Sequence, residues 1–130
     1  MSTRATKLGA AGVVIDGRFR DVNEHKELGM GLFARAGSIL GSNTFTRAAE
    51  INGPVKFEVD VDGVEGAEEV VVVRPGDIIV GDADGVVAVP VELVPECVEL
   101  CRERAEIDEK TMDALRQGEE MGPTIKKLRK

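Results

Sequence analysis

The chain has 130 residues, the length of one domain, and its 42% apolar content is ordinary for a globular fold. With 17 Lys and Arg against 24 Asp and Glu, the net charge of −7 argues against a phosphate-binding surface. Four Phe without Trp or Tyr leave few platforms for stacked bases, so nucleic acid is not an expected partner.

Ser2 to Lys7 reads as the last turns of a helix, closed by Gly9 or Gly12. Val13-Val14-Ile15 reads as a short buried strand that ends in a sharp turn at Asp16-Gly17. Asp21 to Leu28 is polar and predicts a helical turn stopped by Gly29, and Leu32-Phe33-Ala34 predicts a second strand. Gly37 to Asn52 has no clear period and reads as loop. Val55 to Val61 alternates strictly, which predicts a strand with one dry face and one wet face. After a turn at Gly63 come three apolar strands, Val70–Val73, Ile78–Val80 and Val86–Val89. Two tight turns separate them, Arg74-Pro75-Gly76-Asp77 and Asp82-Ala83-Asp84-Gly85. Together these predict an antiparallel or mixed sheet whose central strands are covered on both faces.

The C-terminal third changes character. Val94, Val98, Cys101, Ala105, Met112 and Leu115 recur at helical spacing, which predicts a helix from Val91 to Gln117. Pro95 suits its first turn and Gly118 its end, and a shorter basic helix from Thr124 to Lys130 follows. Cys97 and Cys101 fall on one face of the long helix, where a disulfide between them is disfavoured. Two thiols and a distant His25 are too few ligands for a zinc site, so buried, reduced core thiols are expected. No apolar run approaches the ~20 residues of a spanning helix, and no signal-peptide core opens the chain. A cytoplasmic protein that does not engage membranes is the simplest expectation.

Few motifs carry chemistry. There is no phosphate-binding glycine loop and no zinc-ligand spacing. The one histidine, His25, lies in a polar segment expected to be exposed, which makes a poor base for a nucleophile. The acids of the two tight turns are what such turns demand structurally. The segment Asp16-Gly17-Arg18-Phe19-Arg20-Asp21 differs, because it directly follows a strand, where scaffolds present functional side chains. In an adjacent Arg-Asp pair, one residue can grip a carboxylate by its fork while the other offers oxygen to a hard cation. The alternative is a surface turn with a local salt bridge.

Three blocks add to this. Gly12 to Asp21, then Leu32-Phe33-Ala34-Arg35, then Arg74 to Pro90 together resemble the RraA-like family. That family includes class II 4-hydroxy-4-methyl-2-oxoglutarate aldolases, oxaloacetate decarboxylases and regulators of ribonuclease activity. The resemblance implies an α/β fold, a swivelling β/β/α domain with C-terminal helices, over residues 1–130. It implies that Arg20 and Asp21 are both catalytic, Asp21 holding a divalent metal, Mg²⁺ or alternatively Mn²⁺, and Arg20 binding the keto-acid end of the substrate. The implied reaction is retro-aldol cleavage or decarboxylation of a small 2-keto acid, releasing pyruvate through an enolate.

The resemblance further implies a homo-oligomer, a trimer or a pair of trimers. It places the chain in the C-terminal part of the family domain, N-terminally shortened. An Asp that stands ahead of the Arg-Asp pair in the aldolases, and a nearby glycine-containing loop, have no counterpart in this sequence. The alternatives are a non-catalytic regulator that binds an RNA-processing enzyme such as a ribonuclease, and an inactive shortened homologue.

Overall fold

The computed structural model describes residues 1–44, 46–60 and 68–129. The chain forms two compact units, Met1–Ala88 and Val89–Lys130. No helix among the described residues is long and apolar enough to cross a membrane.

The first unit opens with α1 (Ser2–Lys7), which ends as expected at Gly9, whose φ of 88° is one that glycine adopts without steric cost. Strand β1 (Gly12–Phe19), helix α2 (Val22–Leu28) and strand β2 (Gly31–Gly37) form a parallel strand pair with a short helical crossover. Gly12 pairs with Gly31, and a Cβ at Gly12 would lie 3.2 Å from the Gly31 carbonyl oxygen, so the strand starts need small residues. Gly29 ends α2 in the left-handed region, again as expected. Thr3 donates to Glu24 (2.8 Å) and Thr6 to the sulfur of Met30 (3.5 Å), tying α1 to α2 and to the start of β2.

One expectation is corrected here. Asp16-Gly17 is not a turn: β1 runs on to Phe19, and a register shift between Ile15 and Arg18 absorbs the two residues as a bulge. Bulges and turns draw on the same small and polar residues, and here the unbroken pairing to β2 decides between them.

Strand β3 (Val55–Asp60) pairs antiparallel with β4 (Glu68–Val73), Val55 opposite Val73. The expected turn at Gly63 lies outside the described residues. Strand β5 (Ile78–Gly81) pairs with β6 (Val86–Val89). Both predicted turns form. The Asp77 amide donates to the Arg74 carbonyl (3.1 Å), and the Arg74 amide donates to the Asp77 carboxylate (2.8 Å). Asp82 Oδ1 accepts from the amides of Asp84 (2.9 Å) and Gly85 (3.3 Å). These acids are occupied with shaping the chain.

The expected covering layers are not there. Among the described residues Met30 is the only buried hydrophobic side chain, while Val80 is 54% and Val87 60% exposed. The alternation in β3 is real, but on its apolar face only Phe57 is half-buried, and Val55 and Val59 stay open. The strands therefore lie in three two-stranded pairs with open faces and not in one sheet sealed on both sides.

The second unit is a helical hairpin. A 3₁₀ turn at Val91–Leu93 leads into α3 (Val94–Arg116), with Pro95 in its first turn, where no amide donor is needed. Gly118, at φ 90°, closes α3, and the Glu119 amide donates back to the Ala114 carbonyl (3.1 Å). Helix α4 (Met121–Leu128) begins three residues earlier than its periodicity suggests, because Pro123 is tolerated in a first turn. Thr111 on α3 and Thr124 on α4 are buried, and each hydroxyl is satisfied by a carbonyl four residues back. The cysteines are not joined in a disulfide, and against expectation they are not core residues: Cys97 is half-buried and Cys101 exposed.

Candidate functional site

In parallel strand arrangements, ligands collect beyond the carboxyl ends of the strands, where connecting loops diverge. Arg20 and Asp21 stand at that end of β1, in the two residues between the strand and α2. The chain leaving β2 is fastened beside them, since the Ser38 amide donates to the Phe19 carbonyl at 2.6 Å. A Cβ at Gly41 would lie 3.3 Å from Arg20 Nη1 and 3.0 Å from Asn43 Oδ1, so a bare glycine backbone lets the loop lie against the guanidinium.

Asp21 takes the left-handed conformation, φ 63° and ψ 44°, at the cap position of α2. Asp is among the few side chains that tolerate this region, at a cost of about 1 kcal/mol. Its carboxylate does not cap the helix. Instead it approaches the neighbouring guanidinium, with Asp21 Oδ2 3.3 Å from Arg20 Nε, both side chains being about half exposed at 54% and 55%. The structure thus brings together the two predicted site residues, in contact with each other and open to solvent. An exposed pair of this kind contributes at most about 1 kcal/mol to stability, so its charges remain available for a ligand.

His25 is not exposed as the sequence reading expected. It is half-buried, edge-on to Phe19 with ring centroids 5.4 Å apart, and its Nδ1 is shielded without a hydrogen-bond partner among the described residues. That placement makes it a packing residue beneath the Arg20–Asp21 corner. Among the described residues no three of His, Cys, Asp and Glu gather into a metal-binding cluster.

A second charged group was missed by sequence reasoning. Asp16, in the β1 bulge, is bonded by the Arg35 guanidinium from β2 and accepts from the Glu58 amide of β3 at 3.2 Å. Arg35 also donates to the Glu58 carbonyl. One carboxylate and one guanidinium therefore fasten the parallel pair to β3. The hydrogen bond from Arg35 and then that from the Glu58 amide hold the Asp16 carboxyl below its ordinary 3.8, against a smaller opposing effect of desolvation.

Because the folded value is depressed, this group's contribution to stability is complete above about pH 4. It is lost as the pH falls through the folded value beneath 3.8. Thermal melts of the wild type and of Asp16→Asn should therefore differ at neutral pH and converge in acid; a constant difference down to the lowest pH would refute this. A signal for the pairing is present in the sequence: Gly12-Val-Val-Ile-Asp16 and Gly31-Leu-Phe-Ala-Arg35 have the same length, so parallel alignment sets Asp beside Arg.

A family model for RraA-like proteins, described as Aldolase/RraA, matches residues 1–88. The chain belongs to the Aldolase/RraA family. A relative from Halalkalibacterium halodurans, provisionally named 4-hydroxy-4-methyl-2-oxoglutarate aldolase, is 40% identical over 86 residues, covering 66% of this chain and 35% of the relative. An uncharacterized protein of Methanocaldococcus jannaschii is 34% identical over 122 residues, covering 92% of this chain and 52% of its own length.

Among solved structures, the crystal structure of an uncharacterized protein from Pseudomonas syringae pv. tomato matches with a TM-score of 0.79 at 26% identity. That match covers 95% of this chain and 56% of the other. The Aldolase/RraA chain described here thus spans between about a third and just over half of the length of these relatives. Its mixed α/β architecture with C-terminal helices is shared with that solved structure.

Proposed function

We propose that this Aldolase/RraA chain takes part in cleaving a small 2-keto acid, by retro-aldol scission or decarboxylation, with release of pyruvate. The observation that carries the reading is the Arg20–Asp21 pair, held side by side and solvent-accessible at the carboxyl end of a parallel strand. Membership of a family with an aldolase-named relative supports it.

Both reactions break a carbon–carbon bond next to a keto acid and leave the electron pair on a pyruvate enolate. The barrier falls when fixed positive charge faces the oxygen where that charge develops. The planar fork of Arg20 suits the substrate carboxylate and keeps a cation beside the enolate without any change of protonation. Asp21 presents one accessible carboxylate, and it belongs to no cluster of three or more ligating side chains among the described residues. That donor set fits Mg²⁺ or Mn²⁺, which retains several waters and takes one or two carboxylates plus substrate oxygens. When bound, such a cation would add Lewis-acid stabilisation of the enolate.

The bare backbone at Gly41 leaves room for the guanidinium beside the loop. A homo-oligomer belongs to this proposal as well, since open apolar strands are a surface that association would cover.

The test is pyruvate release by the purified protein from oxaloacetate and from 4-hydroxy-4-methyl-2-oxoglutarate. Activity should require Mg²⁺ or Mn²⁺ and disappear on chelation. No pyruvate from either substrate with either metal would sink the proposal for this chain.

A further inference from the structure

Outside the Arg20–Asp21 corner, the described side chains with the most unassigned chemistry are the two cysteines of α3. Cys97 and Cys101 are one helical turn apart on the same face of α3. They are not joined in a disulfide, and Cys97 is half-buried while Cys101 reaches solvent. Cβ atoms at this spacing lie about 5–6 Å apart. A disulfide needs about 3.5–4.5 Å, so α3 resists internal oxidation. A metal bridging two sulfurs has no such conflict, since two bonds of about 2.3 Å set end to end span about 4.6 Å.

We propose that Cys97 and Cys101 form a two-sulfur site for a soft, two-coordinate cation of the Cu(I) type. The residues around the pair select for this class. Positions three and four residues away from either sulfur along the helix hold Leu93, Val94, Val98, Leu100 and Ala105, none of which offers a donor. Zinc requires four ligands and finds two; hard cations require oxygen and find none at these positions. Soft thiolates favour Cu(I).

The sixth neighbour is Arg104, three residues beyond Cys101. Arg102, Lys110 and Arg116 on the same helix each pair with an acid one turn away. Arg104 has no ion-pair partner among the described residues. Binding replaces two S–H bonds with two sulfur–metal bonds, releases two protons and leaves a bis-thiolate Cu(I) unit with one net negative charge. The Arg104 guanidinium is placed to balance that charge. Because two protons leave on binding, uptake strengthens with rising pH.

The experiment is anaerobic titration of the reduced 130-residue chain with Cu(I) against a competing chelator, read by native mass spectrometry and by thiol alkylation. One copper per chain and protection of both thiols are expected, with Zn²⁺ unable to compete. Cys97→Ser and Cys101→Ser should each abolish the one-to-one complex. Arg104→Gln should keep the stoichiometry and weaken binding by roughly 10-fold, the size of an outer-shell effect.

Circular dichroism of each variant separates loss of ligand from loss of helix, and Cys→Ala variants repeat the test where a Ser variant unfolds. The proposal is overturned if either Cys97→Ser or Cys101→Ser holds copper as tightly as the wild type, if Zn²⁺ binds equally well, or if copper appears only between two chains.

Discussion

Asp21→Asn should reduce metal-dependent pyruvate release by at least about 100-fold, the scale on which removing one charge-stabilising group acts. Asparagine is nearly isosteric with aspartate and shares its tolerance of the left-handed region, so the backbone at φ 63° is preserved. What changes is the charge. A neutral amide is a poor ligand for a hard cation and no longer holds Arg20 by ion pairing. Stability should move by less than about 1 kcal/mol, because the pair is half exposed.

Arg20→Lys is the companion experiment: it retains the positive charge and removes the fork, so KM for the keto acid should rise more than kcat falls. Steady-state kinetics with oxaloacetate at saturating Mg²⁺ decides both. Unchanged turnover in Asp21→Asn would remove this residue from the mechanism.

Gly81→Val should destabilise the first unit clearly. A Cβ at Gly81 would lie 2.6 Å from Cζ and 2.7 Å from Cε2 of Phe33, closer than side-chain carbons approach. Phe33 sits in β2 opposite Val14, so its ring is anchored to the parallel pair and must turn away from β5 to make room. Overpacking of this kind costs about 1–3 kcal/mol, and valine adds two methyl groups to the same contact. Chemical denaturation should show the midpoint falling with little change in slope. A truncating second change, Phe33→Leu, should recover part of the loss, whereas no recovery would show that Gly81 is needed for another reason.

Much of the frame was legible because short apolar runs between glycines leave few alternatives. Val13–Ile15, Leu32–Ala34 and the three later valine-rich runs are all strands, and Pro95 and Gly118 bracket α3 as their chemistry requires. The misreadings share a cause. A bulge and a turn use the same Asp-Gly pair, and only the partner strand tells them apart. Excluding a disulfide and a zinc site leaves core thiols as the expectation for Cys97 and Cys101, yet helical spacing does not say whether anything lies over their face.

The site shows the same division. Arg20 and Asp21 were found from their position after a strand. Asp16–Arg35 was not, since recognising it needs two segments nineteen residues apart to be laid side by side in parallel.

The open faces of β3, β5 and β6 have a calorimetric consequence. The heat-capacity increment of unfolding comes mainly from apolar surface newly wetted when structure is lost, about 12–15 cal/mol/K per residue in ordinary domains. Here much of the valine and isoleucine surface already meets water in the folded chain, with Met30 the one buried hydrophobic among the described residues. An isolated chain should therefore unfold with a smaller increment and a flatter stability curve. Any partner that sealed those strands would restore the missing heat capacity as a negative term in its own binding.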